Sequence, residues 1–121
     1  MNILNLTQHP ASPEQVDAGV INPTPEIKAK IVRLITFNSL PNLDEINARA
    51  NAVAAMVDGM PEKFGRAMIG GAPFFMGALE TALKKIGIVP VYAFSQRIVE
   101  ESAGGSEKKV IFKHEGFVEV S

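Results

Sequence analysis

Three short segments carry residue types that bind phosphate or transfer a proton, and each follows an apolar run. Thr7-Gln8-His9 follows the first run, Gly70-Gly71 the second and Ser95-Gln96-Arg97 the third. In an open α/β sheet, ligands bind beyond the carboxyl ends of the strands. If the three runs are neighbouring strands, we expect the segments to meet at one sheet edge, with Thr7 to His9 as one wall of a pocket.

His9 is the residue of this set that could move a proton. An imidazole can serve as a general acid or base near neutral pH. A loop histidine before a proline, here Pro10, can equally be structural. The sequence leaves both interpretations open.

Gly70 and Gly71 precede a predicted helix start, where free backbone amides and the helix dipole favour an anion. A tight turn alone would also explain the pair. Ala72 and Phe74 lie in the same segment, and either Phe74 or Phe75 could stack on a base while the other faces the sheet. The chain has neither a Walker A lysine nor a complete GxGxxG, so the usual ATPase and dinucleotide motifs are missing.

Arg97 is the expected phosphate partner on the third segment, because a guanidinium can bind two oxygens at once. Ser95 and Gln96 precede it and could contact the same ligand. The alternative is a solvated hairpin arginine that pairs with Glu100 or Glu101.

The helices and strands predicted in the first half of the chain determine where the first segment, Thr7-Gln8-His9, lies. Residues 2–7 predict a short buried strand, and Ser12-Pro13-Glu14-Gln15 is a capping box that begins a short helix ending near Ala18. Two longer amphipathic helices are predicted to begin at Thr24 and Asn42.

The second half positions the other two segments. Residues 66–69 predict a strand, a helix follows and stops at Gly87, and residues 88–94 predict the next strand. Such a βαβ unit makes its two strands parallel. Residues 96–101 and 108–114 are β-rich and are joined by the Gly-rich stretch 102–106, which indicates a hairpin.

These elements predict one domain, residues 1–121, of the α/β class. We expect a small Rossmann-like three-layer domain with a mainly parallel sheet and a C-terminal antiparallel β-hairpin extension.

The composition restricts the partners. Hydrophobic residues make up 46%, charged residues 21%, and the formal net charge is −1. This balance lacks the basic excess expected of a protein that binds long nucleic acid, while a small phosphate-bearing ligand remains compatible with it.

Several further features are missing from the sequence. There is no cysteine, no apolar run near the ~20 residues of a membrane span, and no signal peptide pattern. The two histidines lie far apart without a carboxylate cluster, which argues against a metal site. We therefore expect a cytoplasmic protein without membrane association, metal or cofactor.

The C-terminal part resembles a known family. The stretch IGGAPFFMGALETALKKIGIVPVYAFSQRIVEE, followed by a Gly-rich turn and KKVIFKHEGFVEV, resembles the small single-domain CRISPR-associated proteins related to the CARF fold, which include stand-alone ring nucleases. The opening strand and the helix start at Ser12 to Gln15 are similar as well. The likeness covers residues 1–19 and 66–120 and leaves the middle helices unmatched.

The resemblance implies a homodimer of antiviral defence that binds cyclic oligoadenylate, a ring of 3′–5′-linked AMP units. It also implies metal-independent cleavage, in which a ribose 2′-hydroxyl attacks the adjacent phosphate and leaves a 2′,3′-cyclic phosphate. The residues it assigns are Gly70, Gly71 and Arg97 for phosphate, Thr7, Gln8 and Ser95 for ribose or phosphate, and His9 as the acid or base.

Two other functions remain open at this point. A non-catalytic binder that sequesters a nucleotide signal needs the same pocket and no proton-transfer group. An unrelated α/β domain that binds a protein partner through its hairpin predicts no nucleotide affinity.

Overall fold

The computed structural model describes residues 2–101, 104–105 and 107–120. The predicted turn at 102–106 therefore lies partly outside the described residues. The helices and strands follow in the order β1 (Ile3–Asn5), α1 (Pro13–Asp17), β2 (Val20–Ile21), α2 (Pro25–Ile35), α3 (Leu43–Asp58), β3 (Arg66–Met68), α4 (Pro73–Lys85), β4 (Val89–Glu101) and β5 (Lys108–Glu119).

The five strands form one sheet in the order β2-β1-β3-β4-β5. The pairs β1–β2, β1–β3 and β3–β4 are parallel, and β4–β5 is antiparallel. In the βαβ unit, Arg66 lies opposite Val89 and Met68 opposite Val91. The expected Rossmann-like α/β domain with a mainly parallel sheet and a C-terminal antiparallel pair is confirmed.

The predicted helix starts are also confirmed, because each has the side-chain cap that its sequence indicates. Ser12 and Gln15 form the reciprocal capping box of α1. The Thr24 hydroxyl caps α2, and Asn42 Oδ1 accepts from the Glu45 amide at 2.8 Å at the start of α3. These bonds satisfy amides that the first helical turn leaves without intrahelical partners.

The main core lies on one face of the sheet, under α2, α3 and α4. Its fully buried side chains include Leu4 from β1, Ile31 from α2, Val53 from α3, and Phe75 and Leu79 from α4. Burying such side chains stabilises each by about 1.5–3 kcal/mol relative to exposure. The helices are therefore held to this face by ordinary apolar packing.

A smaller cluster occupies the opposite face. It contains Ile3, Val20, Met68 and Val91, and Ala11 and Phe117 pack against it. The short helix α1, which follows Ala11, buries no residue of its own. The third layer of the domain is consequently thin.

The boundary predicted after residue 94 is wrong. β4 runs without interruption from Val89 to Glu101, and β5 pairs with it from Val91–Glu119 to Glu101–Lys108. The ladder shifts register between Phe94 and Ser95 and then continues. Polar Ser95 and Gln96 suggested a strand end, but an antiparallel partner provides backbone hydrogen bonds there and both side chains face solvent.

β5 also extends to Glu119, beyond the predicted limit at residue 114. The two-residue strand β2 was not predicted, because it is too short to show an alternating pattern. None of the described helices has both the length and the apolar character needed to span a membrane.

Candidate functional site

The direction of the chain reverses between β1 and β3. From β1 the chain passes through α1 to β2 on one side, and then returns through α2 and α3 to β3 on the other side of β1. In open α/β sheets this switch point creates a crevice at the carboxyl ends of the two central strands, where ligands bind. The loops after Asn5 and Met68 are therefore where a ligand is expected to bind.

A cavity of about 410 Å³ opens at this crevice. Five of the residues predicted from the sequence line it, and six further residues complete the lining. The predicted ones are Thr7, Gln8, His9, Gly70 and Gly71, and the others are Pro10, Gln15, Met68, Ile69, Tyr92 and Ala93.

Asn5 shapes the first wall from below. Its side chain is buried, with 3% exposed. Its Nδ2 donates to the His9 carbonyl at 2.8 Å and to Asn22 Oδ1 at 2.9 Å, and its Oδ1 accepts from the Thr7 amide at 2.9 Å and from Thr7 Oγ1 at 2.7 Å. Asn22 Oδ1 also accepts from the Ala11 amide at 3.0 Å. One buried amide thus holds the loop 7–11 in place.

Asn5 was not among the site residues predicted from the sequence. The available signal was a polar residue within the otherwise apolar run ILNL. A buried amide must satisfy its hydrogen bonds, and nearby turn backbone commonly does this.

The side chains on this wall differ in their freedom. Gln8 Nε2 donates to Thr36 Oγ1 at 2.9 Å, which ties the loop to the end of α2. The backbone of His9 is anchored through its carbonyl, but its exposed imidazole has no hydrogen bond to any of the described residues. The ring can therefore turn toward a ligand while its backbone stays fixed.

Gly70 and Gly71 form the second wall. Gly71 has φ +142°, a conformation that side chains with a Cβ rarely adopt. A Cβ at Gly70 would lie 3.6 Å from Thr7 Cγ2, an ordinary contact, so the two walls meet closely. Ala72 provides no side-chain cap for α4, Pro73 has no amide hydrogen, and the Phe75 amide donates to the Ala72 carbonyl at 3.0 Å. This leaves the Phe74 amide for an acceptor outside the helix.

Tyr92 borders the cavity at β4. Its hydroxyl donates to Glu80 Oε2 on α4 at 2.5 Å. Burial raises the pKa of Tyr92 well above its ordinary value, and the hydrogen bond and negative charge of Glu80 raise it further. The phenol therefore stays protonated at neutral pH and acts as a fixed wall.

The electrostatic character of the lining is nearly neutral. Among its described residues, only His9 and Tyr92 are ionisable, and there is no lysine, arginine or carboxylate. An anion here would depend on backbone amides, helix orientation and the imidazole. Within the described part of the chain, no group of three or more His, Cys, Asp or Glu is placed to hold a metal ion.

Five other predicted residues do not line this cavity. Ser95, Gln96 and Arg97 lie on β4 beyond its register shift, opposite residues of β5, and all three are exposed. The expectation that three strand ends converge is wrong for this segment, because β4 does not end there.

Ala72 is the N-cap residue of α4 and lies outside the lining. Phe74 lies outside it too, and its ring instead meets Phe37 edge-on at a centroid distance of 5.1 Å. The described ion pairs include none between Arg97 and Glu100 or Glu101.

The fold and this crevice define a Rossmann-like α/β protein with a cavity at the switch point of its sheet. A family model described as "Uncharacterized protein MJ1673 family" matches residues 1–118, and the chain belongs to this family. Neither the curated proteins nor the solved structures include a match to the chain.

Proposed function

We propose that the cavity binds a cyclic oligoadenylate and cleaves it without a metal ion. The observation that carries the proposal is the position of the cavity at the switch point, with a proton-transfer side chain on one wall and paired glycines on the other. The sequence resemblance supports the choice of this ligand among phosphate-bearing molecules.

Binding uses the two walls for different parts of the nucleotide. A phosphate approaches Gly71 and the start of α4, where no cap side chain competes for the Phe74 amide. Gln15 Oε1 already accepts from the Ser12 amide, which leaves Gln15 Nε2 to donate to the ligand. The buried residues Met68 and Ile69 form the base of the cavity beneath the nucleotide's base or sugar.

Cleavage is an internal transesterification. The 2′-oxygen forms a bond to the adjacent phosphorus, the bond from phosphorus to the 5′-oxygen breaks, and a 2′,3′-cyclic phosphate remains. His9 protonates the departing 5′-oxygen, and the proton of the 2′-hydroxyl passes to water. The walls contribute alignment and stabilisation of the charged phosphorane.

A non-catalytic binder is the second candidate. The observation in its favour is that the lining offers His9 alone for proton transfer at neutral pH, since the Tyr92 hydroxyl is engaged by Glu80. Such a protein would sequester the nucleotide and release it unchanged.

We further propose a cytoplasmic homodimer. The sequence resemblance supports the dimer, and two-fold symmetry gives each copy a cavity of its own.

The test is to incubate the protein with cyclic tri-, tetra- and hexa-adenylate and to follow binding and products by chromatography with mass detection. We expect a 2′,3′-cyclic phosphate product. His9→Ala should keep binding and slow cleavage by ~10²-fold or more. His114→Gln is the control, since it replaces the other histidine of the chain outside the lining.

Three results would contradict part or all of this proposal. Binding without turnover by the wild type favours the sequestering protein. Full cleavage by His9→Ala removes the imidazole from the mechanism. A folded wild type that binds none of the three rings overturns the nucleotide proposal and favours the protein-partner domain.

A further inference from the structure

The far ends of β4 and β5 form a two-stranded arm, which we define as residues 95–101 paired with 108–114. Glu101 lies opposite Lys108 near its tip, and Ser95 lies opposite His114 at its base. β5 packs mainly against β4. Seven residues of strand extend about 20 Å, and a two-stranded ribbon on its own is only marginally stable in water. The arm therefore needs packing against another surface to be stable.

One face of the arm is distinctly apolar and exposed. Directly opposed residues of an antiparallel pair share a face, as do residues two apart along a strand. On this face, which we call the Phe112 face, Val99 is 47%, Val110 44% and Phe112 67% exposed. From base to tip its rows are Arg97 with Phe112, Val99 with Val110, and Glu101 with Lys108.

The opposite face of the arm is better covered. Its central pair, Ile98 and Ile111, is half-buried, and polar or charged residues flank that pair on both sides. The exposed apolar surface is thus concentrated on the Phe112 face.

The charged residues at the two ends of the Phe112 face make it complementary to a second, reversed copy of the same face. The base row carries Arg97 and the tip row carries Glu101 on the same strand, at equal distances from the Val99–Val110 row. If a second arm lies on the first in the reverse direction, each Arg97 opposes a Glu101. The same reversal places each Phe112 against a Lys108, a cation–π arrangement.

We propose that the Phe112 face docks on the Phe112 face of a second copy of this chain, antiparallel, about a two-fold axis at the Val99–Val110 row. Two ribbons packed face to face bury both apolar surfaces, as sheets do in a sandwich. The interface is isologous, so the same residues serve both copies.

The helix α1, which lies beside the base of the arm, favours antiparallel over parallel docking of the two arms. His114 stacks edge-on with Phe117 at 4.9 Å, and its amide donates to Glu14 Oε2 of α1 at 3.2 Å. The Phe112 face therefore continues the sheet face that carries α1. Parallel arms would bring two α1 helices against each other, whereas antiparallel arms place them at opposite ends.

Antiparallel arms place the two cavities at opposite ends of the dimer, so each cavity would bind its ligand separately. The proposed interface therefore depends on homodimer formation but not on nucleotide binding. A charge exchange tests it by sedimentation from low micromolar to several hundred micromolar protein. Arg97→Glu and Glu101→Arg should each raise the dimer dissociation constant about tenfold or more, because two attractive pairs become repulsive. The double variant should recover most of the lost affinity, with the remainder reflecting the repulsion that Glu101→Arg introduces against Lys108 of the same arm.

Glu100→Arg, on the opposite face of the same strand, is the matched control and should leave the dimer intact. Circular dichroism and thermal melting verify that each variant folds. Recovery in the double variant also reports direction. In parallel arms the Glu101→Arg substitution would place a positive charge against Lys108, so the double variant would not recover.

Cross-linking gives a second measurement that does not depend on variant stability, since the chain contains no cysteine. Val110→Cys lies at the proposed axis and should form a covalent dimer with a short bis-maleimide. Ile111→Cys, on the opposite face, should not.

Three results would overturn this interface. These are a wild type that remains monomeric throughout, a dimer insensitive to Arg97→Glu, and cross-linking at residue 111 in preference to 110. The second result would leave the proposed homodimer standing with another contact surface, and nucleotide binding is measured separately.

Discussion

Asn5 determines the shape of the first cavity wall at the residue scale. Replacing it with alanine leaves the Thr7 amide and the His9 carbonyl without their buried partner. We expect Asn5→Ala to lower the free energy of unfolding by about 2–3 kcal/mol, measured by urea denaturation. Asn22→Ala is the control, because Asn22 is exposed and should cost about 1 kcal/mol. Equal losses in the two variants would contradict the central role of Asn5.

Gly71 and Gly70 should respond differently to a side chain. Gly71→Val forces a branched residue into φ +142° and should cost about 1–3 kcal/mol of stability. It should also weaken binding of cyclic tetra-adenylate, because a side chain then blocks approach to the backbone. Gly70→Ala meets Thr7 at an ordinary distance and should fold normally. Equal behaviour in urea denaturation would show that the Gly71 backbone can relax.

Tyr92 offers a pH test with a clean signal, because it is the sole tyrosine and the chain has no tryptophan. Its pKa is raised in the folded state, chiefly by burial and then by Glu80. The unfolded chain therefore loses this proton first, and the stability gained at neutral pH should fall as pH rises above about 10.

Two measurements check the Tyr92 prediction. Ultraviolet titration should show ionisation above the ordinary tyrosine range, and urea denaturation should show the loss of stability. Tyr92→Phe should remove that alkaline dependence. A phenol that titrates normally in the folded protein would contradict the buried bond to Glu80.

Helix caps belong to the scale of single elements, and Asn42 is the clearest case. Its Oδ1 accepts from the Glu45 amide at 2.8 Å at the start of α3. Asn42→Ala should lower the free energy of unfolding by about 1 kcal/mol. Asn47→Ala, at an exposed position within the same helix, should change it by about 0.5 kcal/mol or less. A cap variant that behaves like the control would show that other contacts hold the helix start.

The sequence predictions are correct where an element depends on residues close together in the chain, and wrong where it depends on pairing with a distant segment. Helix starts at Ser12, Thr24 and Asn42 depend on residues three positions apart, and they were predicted correctly. The continuity of β4 through Ser95 depends on pairing with β5, which local polarity cannot reveal.

The candidate site divides in the same way. Thr7 to His9 and Gly70-Gly71 were identified because they follow predicted strands, and ligands of open α/β sheets bind beyond the carboxyl ends of the strands. Tyr92 and Gln15 reach the cavity through the path of β4 and the fold of α1 against the sheet. These relations depend on tertiary structure, so residue type alone did not indicate them.

A shortened chain tests whether the arm forms the dimer while the rest of the domain carries the cavity. Gln96 and Lys113 are directly opposed, so an Asn-Gly turn can join them in place of residues 97–112. Since β5 packs mainly against β4, the helical core should remain folded with an unchanged cavity. We expect the shortened protein to be monomeric by sedimentation, with its helical circular dichroism retained. A dimer of undiminished stability would place the assembly surface in the body.

The two edges of the sheet are very unequal. β5 presents twelve residues, whereas β2 at the other edge has only Val20 and Ile21. Open-ended growth through the body of the sheet needs a matching ladder at both of its edges, and such a short strand provides almost none. The body of the sheet therefore offers no second long edge for fibre growth. Edge-to-edge addition would have to use the arm, where β4 beyond Val91 pairs, among the described strands, with β5 alone.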